Sequence, residues 1–229
     1  QRADAIHTAV VGRRRRSARE MQSAGDGDPR HHADVHAGER LAASGEIERV
    51  LTRHAQHFAD AVQPAMRGLT GPDQRFWIDY LRCERDNVEA ALDTAVARGD
   101  AQLAIEIVAP IGWYFFMSGE LEAGRVMLGA ALACDGLTEP ALRAAALGVY
   151  GWLVVNGAQL EHAVAATSEA MSLIERIDDA WMRALVASTD VMANFFAGHL
   201  DTVETLQVGL RKLADEAADA WAIGIADLI

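Results

Sequence analysis

The sequence has almost no lysine, few aromatic residues and little proline. Lys212 is the single lysine among 21 basic residues, aromatic residues make up 6% of the chain, and there are five prolines. A P-loop of the form G-x-x-x-x-G-K-[ST] needs a lysine directly after its second glycine, so this nucleotide-binding motif is excluded. Hydrophobic residues rarely alternate with polar ones, and the sequence therefore predicts an all-α protein.

Cysteine and long apolar runs are also scarce. Cys83 and Cys134 show no metal-like spacing, and both lie in apolar helical patterns, so we expect small buried side chains and no disulfide. The longest apolar runs are too short for a transmembrane helix. Arg13–Arg16 follow a short apolar stretch, which is the wrong order for a signal peptide. These features predict a cytoplasmic protein.

The charge is unevenly distributed along the chain. The net charge is −12, yet residues 1–40 contain eight arginines and only six acidic residues. Such an acidic protein is not expected to bind nucleic acid directly. Arg13–Arg16 could contact phosphate, but a solvated tail is the favoured interpretation. Residues 1–37 mix charge, glycine and proline without periodicity, which predicts a disordered segment.

From residue 38 onward the pattern becomes helical. Residues 38–99 predict linker helices, and Asp86-Asn87 interrupts their apolar stripe. We expect a break there, with Asp86 capping the second helix and Glu89 completing a capping box. The alternative is one continuous helix with Asp86 and Asn87 on its solvent-exposed face. Asp100 is predicted to cap the next helix, and Pro110 to kink it.

Residues 100–229 carry an internal repeat. Gly119, Gly157 and Gly198 are 38 and 41 residues apart, and Asp-Ala-Trp recurs with its tryptophans, Trp181 and Trp221, 40 residues apart. Each glycine separates two amphipathic helices. The sequence therefore predicts a right-handed superhelical array of antiparallel helix pairs, a tetratricopeptide-like α-solenoid with a period of about 40 residues. This period is longer than that of an ordinary tetratricopeptide repeat and overlaps the HEAT-like range, so the spacing alone does not name the repeat class.

The last repeat is predicted to be incomplete. It contains one helix, and its apolar stripe would lack a covering partner. The residues expected to be uncovered are Trp221, Ile223, Ile225, Leu228 and Ile229. We expect this C-terminal edge to self-associate or to dock on another part of a larger protein. The chain is accordingly interpreted as a fragment or a truncated gene product.

Catalytic patterns are not evident. His54 and His57 are three residues apart on a predicted helix, a spacing that could hold one metal ion, but no third ligand is indicated. His31, His32 and His36 lie in the segment predicted to be disordered. The sequence therefore predicts a protein that is not an enzyme and holds no metal or cofactor, with a metal-dependent enzyme using His54 and His57 as the lesser alternative.

Residues 38–229 resemble the helical linker and repeat region of actinobacterial LuxR-type and SARP-like ATPase transcriptional regulators. The matching positions are Arg53, His54, Phe58, Trp77, Ile78, Glu84, Asp86, Asn87, Val88, Ala91, Leu92, Trp113, Tyr114, Phe115 and Gly119. In such regulators an ATPase domain precedes this region and a helix-turn-helix often follows. This chain shows neither domain.

The resemblance implies a sensor or protein-interaction region. A protein partner or small effector is expected on the concave face of the array, and the parent regulator's ATPase and DNA-binding domains are expected partners. The candidate partner-binding residues are Trp113, Tyr114, Trp152, Trp181, Trp221 and Ile225. A stand-alone scaffold of the same architecture is the alternative.

Overall fold

The computed structural model describes residues 45–155, 160–175 and 177–228. The chain divides into two units, residues 1–54 and residues 55–229. All regular secondary structure in the described residues is helical, which confirms the predicted all-α class. The prediction of disorder for residues 1–37 concerns residues outside the described ranges.

The helices follow one another with short connections. Their bounds are α1 Glu46–Val62, α2 Ala65–Gly68, α3 Gln74–Cys83, α4 Arg85–Ala97, α5 Ala101–Val108, α6 Gly112–Met117, α7 Leu121–Leu132, α8 Pro140–Val155, α9 Leu160–Ile174, α10 Ala180–Ala197, α11 Leu200–Ala217 and α12 Ala220–Leu228. Helix α1 begins in the first unit and ends in the second. The packing described below belongs to the second unit.

The break predicted at Asp86-Asn87 is present, but its cap differs from the prediction. Helix α3 ends one residue before Glu84, and α4 begins directly after it. Glu84 is the N-cap residue, and Asp86 lies exposed in the first turn of α4. Asn87 Nδ2 donates a hydrogen bond to Glu84 Oε2 at 2.7 Å. The capping role assigned to Asp86 is therefore wrong, although its charge still complements the helix dipole.

Other local predictions are confirmed. Asp100 Oδ1 accepts a hydrogen bond from the Leu103 amide at 3.1 Å and caps α5. Pro110 separates α5 from α6, so the expected kink is a complete interruption. Gly119 and Gly198 have φ angles of +76° and +79°, the left-handed conformation that ends a helix. The third repeat glycine, Gly157, lies outside the described residues.

Successive helices pack in a regular pattern. Helix α7 contacts α6 and α8, α9 contacts α8 and α10, and α11 contacts α10 and α12. The first helices of the pairs also contact one another in order, α6 with α8, α8 with α10, and α10 with α12. Each second helix therefore lies between its own partner and the first helix of the next pair.

Small residues allow the helices to approach closely. A Cβ atom on Gly151 of α8 would lie 2.7 Å from Thr167 Cγ2 and 3.0 Å from the Ala163 carbonyl oxygen of α9. Ala144, Ala145 and Ala146 are buried in the core. The close contact excludes larger side chains, because protein interiors are packed nearly as densely as organic crystals.

Two burial predictions are wrong. Cys83 is exposed at the end of α3, and Cys134 is only half-buried, although both are free thiols as expected. In the stripe expected to be uncovered, Trp221, Ile223 and Ile225 pack against buried residues, because α12 lies against both α10 and α11. Leu228 is exposed as predicted. Ile229 lies outside the described residues.

The described helices show no membrane-spanning segment. None of them combines the length and the apolar character that crossing a bilayer requires.

Candidate functional site

Three of the predicted partner-binding residues meet in one aromatic cluster. Trp113 of α6 lies with its ring centroid 5.3 Å from that of Trp152 on α8 and 5.2 Å from that of Trp221 on α12. Phe116 adds a fourth ring, 5.4 Å from Trp152. We call these four residues the tryptophan cluster. The rings pack edge to face, the arrangement that aromatic quadrupoles favour.

The cluster contains indole N–H groups that protein acceptors do not satisfy. The Nε1 atoms of Trp113 and Trp221 are buried, and no described residue accepts a hydrogen bond from either. Trp113 itself is only 1% exposed. A buried donor without an acceptor costs about 1–3 kcal/mol. These two N–H groups are unsatisfied hydrogen-bond donors in the described part of the protein.

Trp181 lies in a different environment. Its Nε1 donates to Asp219 Oδ2 at 2.9 Å, and the Arg67 guanidinium lies 4.3 Å from the centroid of its ring. Arg67 also pairs with Asp179, the capping residue of α10, at 2.9 Å. Trp181 thus has its hydrogen bond and a cation–π contact within the protein. The structure does not place it in the tryptophan cluster.

Tyr114 belongs to a polar network on the other side of α6. Its hydroxyl donates to Glu120 Oε1 at 2.9 Å. Arg85 of α4 pairs with the same carboxylate and with Glu89, the latter at 2.8 Å. The Arg85 guanidinium also lies 5.2 Å from the centroid of the Phe115 ring. This network fastens α4 to the turn between α6 and α7.

Burial and hydrogen bonding in this network shift the pKa values of Tyr114 and Glu120 in opposite directions. Burial raises the pKa of Tyr114, and the hydrogen bond to the Glu120 carboxylate raises it further. For Glu120, burial by itself would raise the pKa, but hydrogen bonds from Tyr114 and Arg85 outweigh it and hold that pKa below its usual range. Glu120 is therefore held as a carboxylate, which suits a structural ion pair.

Ile225, the sixth predicted residue, is half-buried on α12 and packs against the core. Of the six, Trp113, Tyr114, Trp152 and Trp181 are buried. Their side chains contact other parts of this protein in the described structure. A partner would therefore reach these four side chains only after α6, α8 and α10 separate from the helices that cover them.

A second polar site lies on α10 and was not predicted from the sequence. Asp190 is 5% exposed and accepts hydrogen bonds from Thr167 at 2.6 Å and from Asn194 Nδ2 at 3.2 Å. Asn194 Oδ1 in turn lies 3.2 Å from His199 Nδ1. Burial raises the pKa of Asp190, and its two hydrogen bonds only partly oppose this.

A signal for this site was present in the sequence. Asp190 is the single charged residue between Leu185 and Ala197, where the helix is otherwise apolar or weakly polar. If such an apolar helix is buried, its carboxylate is buried with it and needs hydrogen-bond donors nearby. Identifying Thr167 as a donor required the packing of α9 against α10.

In the described part of the chain, no cluster of three or more His, Cys, Asp or Glu side chains could hold a metal ion. His54 and His57 both lie on α1. The other candidate ligands, His31, His32 and His36, lie outside the described ranges.

Comparison of the chain with known protein families, curated proteins and solved structures gave no significant match. The relation to ATPase regulators therefore stays an expectation from the quoted residues.

Proposed function

We propose that this chain is a non-catalytic helical-repeat region, serving as sensor or protein-interaction arm of a bacterial signal-transducing ATPase transcriptional regulator. In this proposal the helix pairs form a tetratricopeptide-like solenoid. The observation that carries it is the packing order, in which α7, α9 and α11 each lie between the first helices of two successive pairs. Repeat proteins stack in this way because a single pair cannot bury its apolar face alone.

The tryptophan cluster supports a sensing role. It joins the first helices of three different pairs, α6, α8 and α12. A ligand that accepts hydrogen bonds from Trp113 and Trp221 would bind more tightly to one arrangement of these helices than to another. Such differential binding is what shifts a conformational equilibrium.

The first test concerns the predicted domain partner. The genomic sequence around the coding region is determined, and a P-loop ATPase frame is expected directly upstream on the same strand. ATP hydrolysis by that ATPase is then measured with and without this chain. A changed hydrolysis rate supports the regulator proposal. Absence of an ATPase frame, or an unchanged rate, contradicts it and favours the stand-alone scaffold.

A second test concerns nucleotide and metal. Calorimetric titration with Mg·ATP is expected to show no binding by this chain alone, because it has no P-loop lysine. Micromolar affinity for Mg·ATP would contradict the proposal that only the ATPase domain of the regulator binds nucleotide. Metal content measured on purified protein tests the enzyme alternative. Stoichiometric metal that disappears in His54→Ala with His57→Ala would support that alternative.

A further inference from the structure

One arginine of the short helix α2 contacts the first helix of a distant pair. The Arg67 guanidinium lies 4.3 Å from the centroid of the Trp181 ring, and it pairs with Asp179 at 2.9 Å. Asp179 lies 112 residues further along the chain than Arg67. Both contacts are made at the N-terminal end of α10, so this one side chain joins α2 to α10.

The recurring Asp-Ala-Trp segment extends this connection from α10 to α12. Asp179 Oδ1 and Asp219 Oδ1 cap α10 and α12, because each accepts a hydrogen bond from the amide three residues later. Asp179 Oδ2 accepts from Arg67. Asp219 Oδ2 accepts from Trp181 Nε1 at 2.9 Å. We call Arg67, Asp179, Trp181 and Asp219 the α2–α12 relay.

The first contact of the relay is the most exposed one. The side chains of Arg67 and Asp179 are 61% and 39% exposed, whereas Trp181 is 9% exposed. An ion pair between exposed side chains contributes little to stability and is screened by salt. Ala65 and Leu69 are fully buried on either side of Arg67. The Arg67 side chain can therefore leave α10 while α2 keeps its place in the core.

The contact of Arg67 with the ring acts on the hydrogen bond at the ring's edge. A cation over the face of an indole draws electron density from it, which makes the N–H a stronger donor. The guanidinium also covers this face of Trp181 and restricts the rotation of the ring. Loss of Arg67 therefore weakens the bond from Trp181 to Asp219, the residue that caps α12.

We propose that Arg67 is a conformational latch that couples the segment between α1 and α3 to the position of α12. With Arg67 on Trp181, α12 is held on α10, and release of Arg67 loosens the start of α12. Trp221 of the tryptophan cluster lies on this helix, so the latch also acts on the cluster. The inference rests on the proposed sensing role and names a device that would regulate it.

Hydrogen exchange of two groups that donate to Asp219 tests the latch. Arg67→Met removes the guanidinium and keeps an apolar stem of similar length. We expect the exchange rates of the Trp181 indole N–H and the Ala222 amide to rise at least about fivefold in this variant. Nuclear magnetic resonance of the full chain measures both rates.

Arg82→Met is the matched control. The Arg82 side chain is 63% exposed, nearly the same as Arg67, and it also pairs with an aspartate, but that residue, Asp79, lies in the same helix α3. Exchange at Trp181 is expected to change less than about twofold in this variant. Salt at about 1 M should raise exchange at Trp181 more in the native chain than in Arg67→Met, because only the native chain has an ion pair to screen.

Four outcomes would overturn the latch. Arg67→Met could give the same exchange rates as Arg82→Met, or change only the amides of α2. Exchange could rise equally throughout the chain, which would indicate a general loss of stability. A rise at Trp181 without one at Ala222 would confine the effect to α10. Because these measurements involve no ATPase, the latch and the proposed function can fail separately.

Discussion

Phe115 and Phe116 end α6 ahead of Gly119, and Phe195 and Phe196 end α10 ahead of Gly198. Phe115 is fully buried and Phe116 half-buried, whereas both members of the second pair are substantially exposed. The two pairs differ in register. The first pair lies four and three residues before its glycine, and the second lies three and two residues before.

One residue of register corresponds to a rotation of about 100° around a helix. The position four residues before the glycine points into the core in both helices. It is Phe115 in α6 and the buried Asn194 in α10. Burial at these two helix ends therefore follows position relative to the turn, and residue type alone does not decide it.

The largest expected effect comes from truncating the first phenylalanine of each pair, which lies at a different register in the two helices. Phe115→Ala removes a ring packed between α6, α7 and Arg85, and is expected to lower the free energy of unfolding by about 3–5 kcal/mol. Phe195→Ala removes a ring that is partly in solvent, and is expected to cost less than about 1 kcal/mol. Urea unfolding measures both. Equal losses would show that the register argument is wrong.

The next effect concerns one glycine in each of the two second helices, Gly124 in α7 and Gly209 in α11. A Cβ atom on Gly124 would lie 2.5 Å from Phe115 Cβ and 2.7 Å from Leu153 Cδ1, whereas one on Gly209 would meet nothing within 4 Å. Gly124→Ala is therefore expected to destabilise the protein by about 1–3 kcal/mol. Gly209→Ala is expected to be neutral or to stabilise by up to about 1 kcal/mol, because alanine favours helix. Thermal melting of the two variants checks this, and a stabilising Gly124→Ala would contradict the close packing.

The contributions of Glu120 and Asp190 to the free energy of unfolding are expected to change with pH in opposite directions. The folded-state pKa of Glu120 is lowered, so its ion pair stabilises above its ordinary pKa and this contribution is lost as pH falls. The folded-state pKa of Asp190 is raised, so its contribution is fully present below its ordinary pKa and is lost as pH rises. These effects are expected to be smaller than those of the packing variants.

Matched amide variants separate the two carboxyl groups. The stability advantage of the native protein over Glu120→Gln should shrink as pH falls from 6 toward 4. Its advantage over Asp190→Asn should grow over the same range. Urea unfolding at several pH values supplies both differences. Parallel trends in the two differences would contradict the assigned pKa directions.

The smallest expected effect on stability is that of Phe196→Ser. Its ring is half in solvent and outside the core, so the free energy of unfolding should change by less than about 0.5 kcal/mol. A large loss of stability would show that this ring belongs to the packed core.

Much of the local structure could be predicted from the sequence. Asp100 caps α5, Pro110 separates α5 from α6, and Gly119 and Gly198 adopt left-handed φ angles, all as their residue types indicate. These features depend on groups within a few residues of each other. The helix start near Asp86 was predicted wrongly. Helix α4 begins at Arg85, and Asn87 donates a hydrogen bond to Glu84, the residue before the helix.

The candidate site could be predicted only in part. Tryptophans on successive first helices were recognised as a set, but the sequence did not distinguish Trp221, which meets Trp113, from Trp181, which meets Arg67 and Asp219. These contacts join residues far apart in the chain. Each depends on the positions of whole helices, which short-range patterns do not contain.

Local sequence features set many of the helix boundaries, such as the Asp100 cap and the turns at Gly119 and Gly198, because caps and glycine turns act over a few residues. The sequence also determined that the protein is helical. Which aromatic rings are buried, and which carboxyl group is removed from solvent, depends on the tertiary structure. Phe115 is buried, whereas Phe195 is exposed. Asp190 is buried, whereas Glu120 forms an ion pair with Arg85. Burial and charge pairing depend on neighbours that the fold brings from distant parts of the chain.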